Sequence, residues 1–406
     1  MRDTHTDQPT GAAQADAPFV RRVFYIPGYD PTHPRRYREL YRREGAAQAA
    51  ISGYGLDLAA RKAKGPFGWR VTTRAAVAEI EVLVWSDIVK GSMDPSIIAT
   101  YLQLCRTAWA YIGSGALLRL MRLRKGPMVA ALYPIAMLLG QLGVAALAGW
   151  GAGALVAEVA PLAAWVVGGL VLWGVLHAFR RYDNRLLAYY LMHDYAYSAQ
   201  AGGAYPPQLE ERMVEFGRCI RDAMAGDHDE VLVVGHSSGA HLAVSILADL
   251  LRGGLPQHRP ALGLLTLGQV VPMVSFLPGA DRLRRDLHDL SARDDLTWID
   301  VTAPGDGCAF ALCDPVAVTG VSPPGKRWPL VVSAAFTQTL SPERWKDLRW
   351  KFFRLHFQYL CAFDRPGDYD YFQITAGPMT LSDRYKNRSP SASRIETPTS
   401  GYRSMA

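Results

Sequence analysis

The chain has 406 residues, of which 20% are charged and 49% hydrophobic, with a formal net charge of +7. That length can bury a large core, which excludes a small fold held together by disulfides. The five cysteines (Cys105, Cys219, Cys308, Cys313, Cys361) are odd in number and scattered, with no secretory signal ahead of them. They read as reduced thiols on the cytoplasmic side, and with no zinc-type spacing among them, neither a metal nor a cofactor is expected.

Taken in chain order, residues 1–18 are polar and turn-rich and are expected to be disordered. Residues 19–125 form the first part of an α/β domain. VFYIPG (Val23 to Gly28) reads as a short buried strand ending in a turn. Arg35, Arg36, Arg38, Arg42 and Arg43 alternate with Tyr37, Leu40 and Tyr41 at helical spacing, which predicts an amphipathic helix with a solvated basic face. VAEIEVLVW (Val77 to Trp85) is a second strand.

From Gly126 to Phe179 the only formally charged residue is Glu158. The run divides at GWGAGA, Gly149 to Ala154, into halves of about 21 and 24 residues, each long enough for a hydrocarbon core of about 30 Å. Arg119, Arg122, Arg124 and Lys125 precede it, and Arg180, Arg181 and Arg185 follow it. Positive charge at both outer ends predicts a transmembrane hairpin over 126–179 with both flanks cytoplasmic. The second part of the domain spans 180–381. Asp183 to Tyr205 is rich in Tyr and reads equally as a cover over a pocket or as a connector.

LEERMVEFGRCIRDAM (Leu209 to Met224) has helical periodicity, with Met213, Phe216 and Ile220 on one face. VLVV then runs into Gly-His-Ser-Ser-Gly, and a small-residue helix follows to about Leu251. LGLLTLGQVV (Leu262 to Val271), LTWIDVT (Leu296 to Thr302) and PLVVSAAF (Pro329 to Phe336) continue the strands. Near-continuous apolar strands separated by helices predict a mostly parallel sheet covered on both faces. GVSPPGKR (Gly320 to Arg327) nearly matches a phosphate loop. Its Arg327 stands where a hydroxyl must hold magnesium, and two prolines remove N–H donors, so it reads as a turn. Residues 382–406 are expected to be a disordered tail.

VLVVGHSSGAHLAV (Val231 to Val244) combines a strand, a tight G-x-S-x-G turn and a helix. It resembles the nucleophile elbow of the α/β-hydrolase superfamily, with Ser237 in the nucleophile position. The resemblance spans Val23 to Gly377, interrupted by the hairpin, and implies an α/β-hydrolase-like sheet with helices on both faces. In that superfamily the order is Ser, then acid, then His. Of the later histidines, His241 lies in the elbow helix, His258 in a loop before the next strand, and His288 in a charged helical stretch. His356 alone follows a plausible acid. Asp306, in the turn after WIDVT, is the preferred acid and Asp314 the competitor. The resemblance also implies two oxyanion donors, the Ser238 amide and an amide after the first strand. By position that second donor is Tyr29, with Gly28 or Asp30 as alternatives; Pro27 stands where the family often has His.

These readings predict a membrane-anchored, cytoplasm-facing serine hydrolase that cleaves carboxylic esters of lipid-like substrates, its partners being those substrates and membrane lipids. The Arg35–Arg43 cluster would meet anionic headgroups. An acyltransferase or thioesterase with the same three residues is the nearest rival, and a non-catalytic membrane scaffold is a rival of another class. No motif points to nucleic acid.

Overall fold

A computed structural model describes residues 17–61, 66–93, 96–256 and 259–406. His258 and the expected N-terminal tail up to residue 16 lie outside these residues. Eight strands form one sheet: β1 (Phe19–Ile26), β2 (Asp57–Ala60), β3 (Gly68–Thr72), β4 (Ala76–Val82), β5 (Glu230–His236), β6 (Ala261–Leu267), β7 (Thr297–Thr302) and β8 (Leu330–Ser333). Their spatial order is β2-β3-β4-β1-β5-β6-β7-β8. Pairing is parallel from β4 through β8, and β2 and β3 add an antiparallel edge. The expected mostly parallel α/β sheet is therefore present. The short antiparallel edge strands were not anticipated, because β2 has only four residues and is largely exposed.

All seven residues of β5 are buried, so helices must cover both faces. Alternation divides its side chains. Val231 and Val233 join Phe24 and Ile26 under the helices Pro207–Met224 and Gly239–Arg252. Leu232 and Val234 join Val23 and Tyr25 under Tyr37 and Tyr41 of the helix Arg35–Ser52. That last helix keeps its arginines outward, where Arg38 and Arg42 pair with Glu39 and Arg43 pairs with Glu44. The chain leaves β1 toward β4 and later returns to β5 on its other side. This reversal opens a crevice at the carboxyl ends of β1 and β5.

The apolar run forms two helices long and apolar enough to cross a membrane, Lys125–Ala157 and Pro161–Arg181. Their turn is at Glu158–Ala160, not at GWGAGA. The glycines of that motif serve another purpose. A Cβ at Gly149 would sit 2.6 Å from the Gly168 carbonyl, and one at Gly153 would sit 3.0 Å from that of Ala164. Small residues here let the two backbones touch, the seam expected between helices in lipid. The described residues leave the outer side chains uncovered: Leu162 is 89% exposed, Trp165 85% and Leu147 70%. Among the described residues, the chain's own core leaves most of the hairpin uncovered.

The C-terminal segment is also corrected, because it is docked rather than a free tail. The Ser391 N–H donates to Val331 O at 2.9 Å and the Thr399 N–H to Val318 O at 2.9 Å. Tyr385 is buried in the sheet-side core, and the buried Arg284 guanidinium donates to Ser404 O at 2.6 Å. Polar composition hid these partners, since most of them are main-chain groups.

Asp300 of β7 is fully buried, accepting from the Thr266 hydroxyl at 2.6 Å. Burial raises its pKa to about 8. A carboxyl whose folded pKa lies above its unfolded value contributes stability that is lost as pH rises through the folded value. Stability is therefore expected to fall between about pH 4 and pH 8, by on the order of 1 kcal/mol per pH unit from this group. Asp300→Asn should flatten that decline in thermal melts of the purified protein; equal slopes in both proteins would contradict the assignment.

Candidate active site

The crevice is built first by backbone. β5 ends at His236, and the next residue, Ser237, has φ 57°, a left-handed conformation that a non-glycine residue seldom adopts. Its amide donates to Leu267 O at 2.9 Å and its carbonyl accepts from Ala240 N at 3.1 Å, so neighbours on both sides hold the strained corner. The corner closes only over glycine. A Cβ at Gly239 would lie 2.2 Å from Ile26 O, and one at Gly235 would lie 2.7 Å from Gly239 O. Ser237 itself is half-buried.

Asp306 follows β7 and is brought to His356, 50 residues later in the chain. His356 Nδ1 lies 2.7 Å from Asp306 Oδ2. A ring nitrogen facing a carboxylate carries the proton, which leaves Nε2 as an acceptor. That Nε2 is buried and has no hydrogen-bond partner among the described residues. Asp306 also accepts from the Tyr359 hydroxyl at 3.0 Å and the Cys308 amide at 2.9 Å. Burial opposes its charge, but His356 and these donors outweigh burial and hold the pKa below the ordinary value. Asp314 is elsewhere. It caps the helix Pro315–Thr319 by accepting from the Val316 and Ala317 amides, and it pairs with Lys326. Of the two candidate acids, Asp306 alone meets the histidine.

Ser237, Ser238, Tyr29 and His356 line one cleft of about 1030 Å³. The loop after β1 reaches the serine closely, since a Cβ at Gly28 would lie 2.9 Å from Ser237 Cβ. The Ser238 N–H makes no hydrogen bond among the described residues. The Tyr29 amide is placed as expected but donates to Ser238 Oγ at 2.8 Å, and the Asp30 amide donates to Gly28 O at 2.7 Å. The expected second backbone donor is therefore engaged, and Ser238 Oγ stands between it and the cleft. Asp306, Cys308 and His356 are the one grouping of metal-ligating type among the described residues. The His356 Nδ1 and the Asp306 carboxylate of this trio are already bonded to each other, which makes it a poor metal site.

The hairpin forms part of the same site. Pro127, at its base, lines the cleft, and Arg124 donates to Ala311 O at 2.7 Å in the loop beyond Asp306. The helix Ala188–Ala199, packed against the hairpin, adds to the same lining, so the Tyr-rich segment that read as cover or connector supplies a wall.

Three residues near His356 were missed from sequence. His236 Nε2 lies 3.0 Å from the His356 carbonyl, and burial depresses its pKa to about 3, so a neutral ring donates there and fixes the His356 backbone. Tyr359 orients Asp306. Asp194 lines the cleft, its pKa raised by burial to about 7, with His356 acting in the opposite direction. As the only acid in AYYLMHDYAYSA, it carried a signal, since a lone carboxyl in such a helix is rarely idle.

Gly239→Ala is expected to destabilise the protein by about 2 kcal/mol or more, because the clash is with backbone. It should be read as a lowered apparent Tm beside Ala248→Gly on the same helix; an unchanged Tm would contradict the corner geometry.

No protein-family model matches the chain, and no curated protein or solved structure matches it.

Proposed function

We propose that the chain is a membrane-anchored serine hydrolase of lipid-like carboxylic esters, with the α/β-hydrolase-like architecture that its elbow sequence suggests. The observation that carries this reading is the Asp306–His356 pair, with its free Nε2, in the same cleft as the strained Ser237. The arrangement supports nucleophilic catalysis, in which base and orienting acid activate a hydroxyl that is otherwise a weak nucleophile.

In the proposed reaction His356 Nε2 takes the proton as Ser237 Oγ attacks the ester carbonyl. Asp306 holds the imidazole by Nδ1 and stabilises the imidazolium. The Ser238 N–H faces developing negative charge at the corner, and the Ser238 hydroxyl, already accepting from the Tyr29 amide, is able to donate its own proton. Collapse expels the alcohol, protonated by His356, and leaves an acyl-Ser237. Water then repeats the cycle, with His356 as base, and releases the carboxylic acid.

The membrane part rests on the two apolar helices and on Pro127 in the cleft wall. Arginines beyond both ends of the hairpin favour the cytoplasmic side for the catalytic domain. Ester carbonyls at the lipid surface then lie near Ser237.

The test is hydrolysis of a long-chain ester presented in vesicles. Ser237→Ala and His356→Ala are each expected to lose at least 10³-fold in kcat, on the order seen when such a unit is broken. Retained turnover in either would overturn the reading. Asp194 should shape the pH profile. Its negative charge develops as pH rises through about 7 and favours the imidazolium formed in the transition state, so the wild-type rate should rise through that range. Asp194→Asn should lack that increment, of about two- to tenfold; superposable profiles would contradict the role.

A further inference from the structure

A second cavity, of about 120 Å³, lies between the helices Ile97–Gly113, Ala116–Leu123 and Ala188–Ala199 and the base of the first hairpin helix. Leu117, Leu120, Met128, Ala131, Ile135 and Met192 form most of its wall, and Thr107 is the one wall residue that is neither apolar nor aromatic. At the inner end, Tyr195 and Met273 belong to this cavity and to the wall of the Ser237–His356 cleft. At the outer end, Ile112 and Leu132 are 62% and 39% exposed.

That outer end opens on an apolar surface. Ile98, Leu102, Trp109 and Ile112 are exposed on one stripe of their helix, and Leu118 and Met121 continue it on the next. An exposed patch of this kind, at the foot of two uncovered apolar helices, suits lipid rather than water.

We propose that this cavity is the bed of one hydrocarbon chain, the acyl chain of the ester, which enters from the bilayer and passes Tyr195 and Met273 to place its carbonyl at Ser237. The inference rests on the proposed hydrolase reading and adds where the chain lies. A polar occupant finds few partners here, because the Tyr111 hydroxyl is already bonded to Met273 O at 3.0 Å and only Thr107 and Tyr195 bring other hydroxyls to the wall. An apolar one gains about fourfold in binding for each methylene withdrawn from water. The enclosed part is slightly smaller than an apolar cavity of about 150 Å³ that takes up benzene. It therefore holds only a few carbons, and the rest of the chain extends along the opening toward lipid.

Photo-crosslinking locates the chain without relying on turnover. Full-length Ser237→Ala in phospholipid nanodiscs would be irradiated with a diazirine-bearing palmitic acid and mapped by peptide mass spectrometry. Label is expected on the segments Leu117–Leu120 and Met128–Ile135 and at Met192, reduced at least tenfold when Ala131→Phe fills the cavity. Label on the lipid-facing Val166 and Leu170 should not change. Should the phenylalanine variant fail to fold, Ile135→Ala, which widens the bed, is expected to raise cavity labelling. Label confined to the lipid-facing residues, or cavity label unmoved by these variants, would overturn the proposal. In an otherwise wild-type chain, Ala131→Phe should depress hydrolysis of palmitoyl esters at least tenfold more than that of acetyl esters, and equal losses for both would count against it. Cavity labelling without hydrolysis of any ester would sink the hydrolase reading and leave the chain-binding site standing.

Discussion

The site depends on a backbone corner. At Ser237 the chain turns from β5 into a helix in a left-handed conformation, with Gly235 and Gly239 giving up side chains so that neighbouring carbonyls can close on it. The corner lies where the chain reverses direction across the sheet, between the carboxyl ends of β1 and β5. Strand order alone opens a crevice there, and the tight turn places a hydroxyl in it. Asp306 arrives from β7 two strands away, and His356 from a short helix after β8. Their hydrogen bond joins parts of the chain that have no local reason to meet.

Strain, burial and charge act together in this small region. Asp306 is buried yet keeps its charge, because His356, Tyr359 and the Cys308 amide supply more than desolvation removes. His236 is buried and neutral, so it braces the His356 main chain without placing a second positive charge beside an imidazolium. Asp194 has no donor comparable to those of Asp306, and burial carries its pKa toward neutrality. Two carboxyls beside one imidazole are thus set apart by their surroundings alone.

Much of this was legible in the sequence, and the limits have physical causes. The central strands announced themselves as apolar runs because both of their faces are covered. The corner was legible because only glycines fit its flanks, and chain order then singled out His356. The sequence favoured Asp306 but kept Asp314 as a competitor, since both sit in turn-like contexts; the Asp314 carboxylate is taken up by a helix cap and Lys326. GWGAGA was misread as a turn because glycine serves equally for bending a chain and for bringing two helices together. The polar C-terminal segment was misread because main-chain hydrogen bonds hold it, and composition does not record them. Tyr359 was invisible for the same kind of reason: its importance comes from a carboxylate distant in the chain.

The central claim is that Ser237 is a nucleophile activated by His356. The most direct test is to treat the full-length protein in membranes with a fluorophosphonate, which phosphonylates activated serines with loss of fluoride, and to locate the adduct by peptide mapping. The account predicts a single adduct on Ser237 that is lost in His356→Ala while that variant remains folded. A folded wild-type protein that takes up no label, or one labelled at another serine, would contradict it.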